Sequence, residues 1–183
     1  MPNDASPAGV LRGGLFSIAD IKILICYIFS AINDPIPANM LANTLHYEGI
    51  ANAFEVCDAI VHLERDEIIV QVNKKDDSYT VTPKGRNIAK TLATSLSMTV
   101  RDRAYKATLK MISLFKNAKD TRYNIVKENG RTYIECSALD SEFPFMSVKM
   151  MVTDEGQAQF IKKKFLENPA KIYSTLIEML TTE

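Results

Sequence analysis

The chain has 183 residues, 46% of them hydrophobic, with 22 basic side chains against 22 acidic ones. That is enough apolar material to bury a core in one domain or in two small ones, and it excludes a chain disordered throughout. A formal charge of zero excludes bulk attraction to nucleic acid or membrane, so any attraction must come from the distribution of charge.

Residues 1–14, with Pro2, Pro7, Gly9, Gly13 and Gly14, lack the apolar centre of a signal peptide and read as a disordered tail. Ser17 can cap a first helix in which Ile18, Ile21, Leu24, Ile25 and Ile28 recur at three-and-four spacing. Residues 21–32 are the longest apolar run, but they include Lys22 and are too short to cross a bilayer, so no membrane partner is expected. Asn33-Asp34-Pro35 stops this helix, because proline lacks an amide hydrogen and displaces the residue before it from helical geometry. Pro37 suits the first turn of a second helix that buries Met40, Leu41 and Leu45 and breaks at Gly49. A third helix follows, with Phe54 at its start and Val56, Ile60 and Leu63 on one face. Residues 68–73 and 79–82 favour strands and are joined by the polar turn Lys74-Lys75-Asp76-Asp77-Ser78. Thr82 and Pro83 then cap and open a fourth helix carrying Ile88, Leu92 and Leu96.

Three helices, a two-strand ribbon and a restarted helix, over residues 15–97, are the layout of a winged helix-turn-helix, a module that mostly binds DNA and sometimes protein. Residues 98–183 change character. A long helix over residues 98–119 sets Val100, Ala104, Ala107, Met111 and Phe115 on one side, and it carries six basic residues against the single acid Asp102. That basic side is either a phosphate-contacting surface or an ordinary solvated face. Residues 121–153 read as a three-strand antiparallel meander whose first turn, Glu128-Asn129-Gly130, holds a strong hairpin signal. Thr153 caps a helix through Phe165, and Asn168-Pro169 starts a last helix burying Ile172, Leu176, Ile177 and Leu180. The expected fold is therefore α+β: an N-terminal winged helix-turn-helix, a linking helix, a meander and two C-terminal helices. The second unit can serve dimerisation, sense a ligand or simply complete the core, and the pairing habit of helix-turn-helix proteins favours dimerisation.

The run from Tyr79 through Thr82-Pro83-Lys84-Gly85-Arg86 resembles the ribbon-to-helix junction of winged-helix regulators of the PadR and MarR type. Over nearly its whole length the chain is similar to a bacterial family known only as a domain of unknown function, whose members are described as winged-helix regulators. Gln157-Ala158-Gln159-Phe160-Ile161 and Asn168-Pro169-Ala170-Lys171-Ile172-Tyr173 carry much of that likeness. The resemblance implies a DNA-binding role by fold, and no reaction or ligand. The chain departs from the family at the start of the third helix. There Glu55, Cys57 and Asp58 stand in place of a hydroxyl residue and glutamines.

The expected partners are double-stranded DNA and a second copy of the chain; no effector ligand is legible. Asn52 and Glu55 open the presumed reading helix, Lys74 and Lys75 lie in the ribbon turn, and Lys84 and Arg86 lie behind it on the phosphate side. Residues 15–97 nevertheless hold seven basic side chains against ten acidic ones. Carboxylates such as Glu55, Asp58 and Glu64 on the third helix repel phosphate and accept only from cytosine amino groups. The alternative is a protein-interaction module that uses this acidic surface without DNA. No phosphate-cradling Gly-Lys-Ser/Thr loop, Gly-x-Ser-x-Gly elbow or His-Glu-x-x-His helix is present, so no enzyme and no cofactor are expected. His46, Cys57 and His62 lack metal-ligand spacing, and Cys57 reads as a small buried hydrophobe before a redox thiol. Three distant cysteines fit reduced thiols in a cytoplasm.

Overall fold

The computed structural model describes residues 9–182. Among them the chain forms seven α-helices and two three-stranded antiparallel sheets, a mixed α+β protein. It divides into two compact units, Met1–Met111 and Ile112–Glu183. The boundary falls inside a long helix.

The first unit opens with α1 (Ile18–Ala31), β1 (Ile36–Pro37), α2 (Ala38–Tyr47) and α3 (Ala53–Arg65). The hairpin of β2 (Ile69–Asn73) and β3 (Ser78–Val81) follows, then α4 (Pro83–Leu92), a 3-10 turn at Ala93–Ser95, and the start of α5 (Met98–Lys119). Ile21, Leu24 and Ile25 of α1, Leu41 and Leu45 of α2, and Ile60 of α3 are fully buried, at roughly 1.5–3 kcal/mol for each large aliphatic side chain. The expected ribbon is present, with Ile69 opposite Val81 and a bulge between Gln71 and Asn73.

Several local expectations give way. Ser17 is the N-cap of α1, but its hydroxyl makes no capping bond. Pro37, expected in the first turn of α2, is instead its extended N-cap and pairs with Ser78 in a third strand that periodicity does not reveal. A proline has no amide hydrogen for a ladder, which suits this edge position. Residues 1–8 of the expected tail lie outside the described residues. The remainder is tied down, since Leu11 N–H donates to Gly49 O at 2.9 Å and Leu15 N–H to Ile50 O at 2.7 Å. Gly49 is the break it was expected to be. It takes φ +64°, while Ile50 N–H reaches back to Leu45 O (2.9 Å) and Gly49 N–H to His46 O (2.8 Å), which satisfies the last carbonyls of α2.

α4 buries Gly85 and Ala89 and leaves Leu92 exposed, because the chain turns into the 3-10 segment that carries Ala93 and Leu96 inward. On α5 the buried stripe runs through Val100, Ala104, Thr108 and Ile112. Met111 and Phe115 are one residue ahead of it and stay exposed.

In the second unit, β4 (Thr121–Glu128), β5 (Arg131–Asp140) and β6 (Phe143–Val152) form the expected meander, with Asn129 and Gly130 both at positive φ in the first turn. Ile134, Cys136 and Ala138, at the period of two that puts alternate residues on one face, meet Ala158 and Phe165 of α6 (Glu155–Glu167). Met150 packs against this core while the adjacent Met151 faces out. The cap of α6 is Asp154, one residue beyond Thr153; its carboxylate accepts from Gln157 N–H at 2.8 Å, which holds it below the usual carboxylate range. α7 (Pro169–Thr181) is capped by Asn168 as expected, yet none of its residues is buried. Ile172 packs against the core and Leu176 lines a groove with Val148 and Met150, whereas Ile177 and Leu180, expected to be buried, are 44% and 80% exposed.

Candidate nucleic-acid interface

The six residues expected at a DNA surface separate into different environments. Asn52 is the N-cap of α3, only 6% exposed, and its Oδ1 accepts from Phe54 N–H at 2.9 Å. Such a cap satisfies one of the orphan amides of the first turn, so the side chain has a structural task. Glu55 is half-buried in the same turn, where its charge complements the helix dipole. At the other end of α3, Lys84 donates from Nζ to Asp66 O at 2.9 Å, a cation set against the negative end of the helix. Lys74 and Lys75 are exposed together at the tip of the hairpin. Arg86 lies apart from them, beside Lys90 and Arg101 in a concavity between α1 and α4.

The face of α3 turned away from the core is Phe54, Asp58, Val61 and Arg65, spaced four, three and four. Phe54 is 85% exposed and Val61 60%, and Tyr47 at the end of α2 is 86% exposed. Sequence reasoning missed this stripe. The signal was available by subtraction, since Val56, Ile60 and Leu63 claim the buried face. Asp58 Oδ2 lies 3.4 Å from His62 Nδ1 on the same helix, without hydrogen-bond alignment.

A polar network ties α3 to the hairpin. The Tyr79 hydroxyl donates to Asp77 Oδ1 at 3.0 Å, with Glu64 Oε2 at 3.3 Å as a second acceptor, and Gln71 Nε2 donates to Asp77 Oδ1 at 2.7 Å. Burial, then the hydrogen bond to Asp77, push the Tyr79 phenol up to about 12. The neutral phenol is thus favoured in the folded chain. Its contribution to stability is complete below pH 10, the ordinary tyrosine value, and is lost as pH rises through about 12. Spectrophotometric titration should show a tyrosine class ionising near 12 that disappears in Tyr79→Phe. If all tyrosines in the folded protein titrated together near 10, this network would be wrong.

Cys57 is half-buried, and burial followed by the Asp77 charge raises its pKa, so the thiol form that reacts poorly is favoured. Cys26, Cys57 and Cys136 are all free. Among the described residues no three His, Cys, Asp or Glu side chains gather in a way that could hold a metal ion. Nor, among them, is any helix long and apolar enough to cross a membrane.

The architecture defines a class: an α+β chain whose first unit packs four helices and the start of a fifth with a small three-stranded sheet, followed by a sheet-and-helix unit with a core of its own. Within that class the chain belongs to the family described as a domain of unknown function, DUF4364, whose model matches residues 21–180. No curated protein matches it, and no solved structure does.

Proposed function

We propose that the first unit is a winged helix-turn-helix and that the chain is a DNA-binding transcriptional regulator of the cytoplasm, working as a homodimer without catalysis. The observation that carries this reading is the order of α1, α2 and α3 followed by a hairpin whose tip presents Lys74 and Lys75 to solvent. Cations at such a tip suit a phosphate backbone, where each neutralised phosphate releases counterions. Lys84 and Asn52 act in this scheme by fixing the two ends of α3, and the contacts to bases fall to the outward stripe of Phe54, Asp58, Val61 and Arg65. The exposed Ile177, Met179 and Leu180 at the end of α7 support self-association, since exposed apolar surface on one edge is commonly an interface.

The test is fluorescence anisotropy on duplex fragments in low salt. The wild-type chain binds, and Lys74→Gln with Lys75→Gln reduces the slope of log K against log salt by roughly two, about 0.9 per phosphate. Binding no stronger than that of an acidic control protein would end the regulator reading.

One observation favours a second reading. Phe54 and Val61 are exposed on the same helix face as Asp58, and Tyr47 is exposed as well, a composition better suited to a protein partner than to phosphate. A protein-interaction module would leave duplex DNA unbound in the same assay.

A further inference from the structure

The concavity between α1 and α4 is lined by three cations, Arg86, Lys90 and Arg101, by Tyr27 and by the hydroxyl residues Ser30 and Thr94. It has a volume of about 350 Å³ and no carboxylate among its lining residues. Two of these cations, Arg86 and Lys90, come from residues 15–97, where acids outnumber bases by ten to seven. Like charges gathered around one concavity repel each other, and an anion between them removes the repulsion. Arg101 is held in place at this wall, since its guanidinium lies over the Tyr27 ring with Cζ 5.6 Å from the centroid. A planar guanidinium fixed in this way matches a phosphate through its fork of N–H donors. The remaining lining, Ala31, Ala89 and Ala93, is apolar and small, which leaves room for a compact organic body beside the anionic head.

The geometry points to a binding site for an organic phosphate monoester in the first unit, held by Arg86, Lys90 and Arg101 with Tyr27 against its body. The site joins α1, α4 and α5, not α3 or the hairpin, so its occupancy does not depend on whether the chain binds DNA.

Isothermal titration of the full chain with phenyl phosphate tests the proposal. Saturable binding is expected with a Kd below about 1 mM, tighter than for inorganic phosphate, and weakened about tenfold by Arg86→Gln and again by Lys90→Gln. Both substitutions are at exposed positions, so unchanged circular dichroism and melting separate a lost ligand contact from a lost fold. Arg101→Met keeps an apolar stem over Tyr27 and should weaken binding at least as much. An absence of saturable binding up to about 10 mM, or binding indifferent to all three substitutions, would overturn the assignment. So would competitive displacement of phenyl phosphate by a short duplex, which would give these cations to a nucleic-acid backbone.

Discussion

Replacing Gly85 by alanine is expected to lower the stability of the first unit by about 3 kcal/mol, the upper range for forcing a methyl group into packed surroundings, and its melting temperature by roughly 10 °C. Gly85 sits in the first turn of α4, where that turn lies against the junction of α3 and β2. A Cβ built there collides with Ile68 O and comes within 2.6 Å of Val81 Cγ2. The carbonyl cannot simply move aside, because Ile68 O already accepts from Thr82 N–H at 3.1 Å and from Thr82 Oγ1 at 2.9 Å. The requirement is thus for close approach of two backbones and not for an unusual dihedral. Gly130 provides the control: its φ is +74°, but nothing lies within 4 Å of an added Cβ, so alanine there costs only about 1 kcal/mol through backbone strain. Denaturant unfolding with unchanged m-value reads both. Equal midpoints for the two variants would show that the α4 approach is looser than the structure has it.

Phe29→Ala is expected to cost about 4 kcal/mol, combining lost transfer energy with the cavity left behind. Phe29 is 1% exposed and is the largest of the fully buried side chains, on a helix that packs against both α3 and α4. Phe29→Leu keeps most of the volume and should cost no more than about 1.5 kcal/mol. Hydrogen exchange under native conditions would then show accelerated exchange for the amides of α1, α3 and α4. A loss below about 1 kcal/mol for Phe29→Ala would mean that the helices close over the site without it.

The elements legible in advance are those whose signals are local. Asn33-Asp34-Pro35, Gly49, Thr82-Pro83 and Asn129-Gly130 each act through one or two backbone dihedrals or a single amide, and each marks an element boundary in the structure. The apolar stripes of α1, α2 and α3 were equally readable, because burial of one helix face follows the 3.6-residue period. The two-residue strand β1 was not, since it exists only through pairing with β3 across the fold. Ile172 of α7 packs against the core as expected, but the later part of that helix was misread for a related reason. Its apolar period is real, but period shows that a face is apolar and not that anything covers it.

The candidate site follows the same division. Sequence order by itself determined that Lys74 and Lys75 would crown a hairpin and that Asn52, Thr82 and Asn168 stand at helix starts, because capping and turn chemistry act over three or four residues. Only tertiary structure decided that Lys84 would be drawn to the end of α3, that Tyr79 would bridge Asp77 and Glu64, and that Arg86 and Arg101 would line one concavity. These residues are separated by up to fifteen or eighteen positions in the chain, and in the last case they belong to two different helices. Charges so far apart in sequence acquire their neighbours, and hence their chemistry, from the packing of the core beneath them.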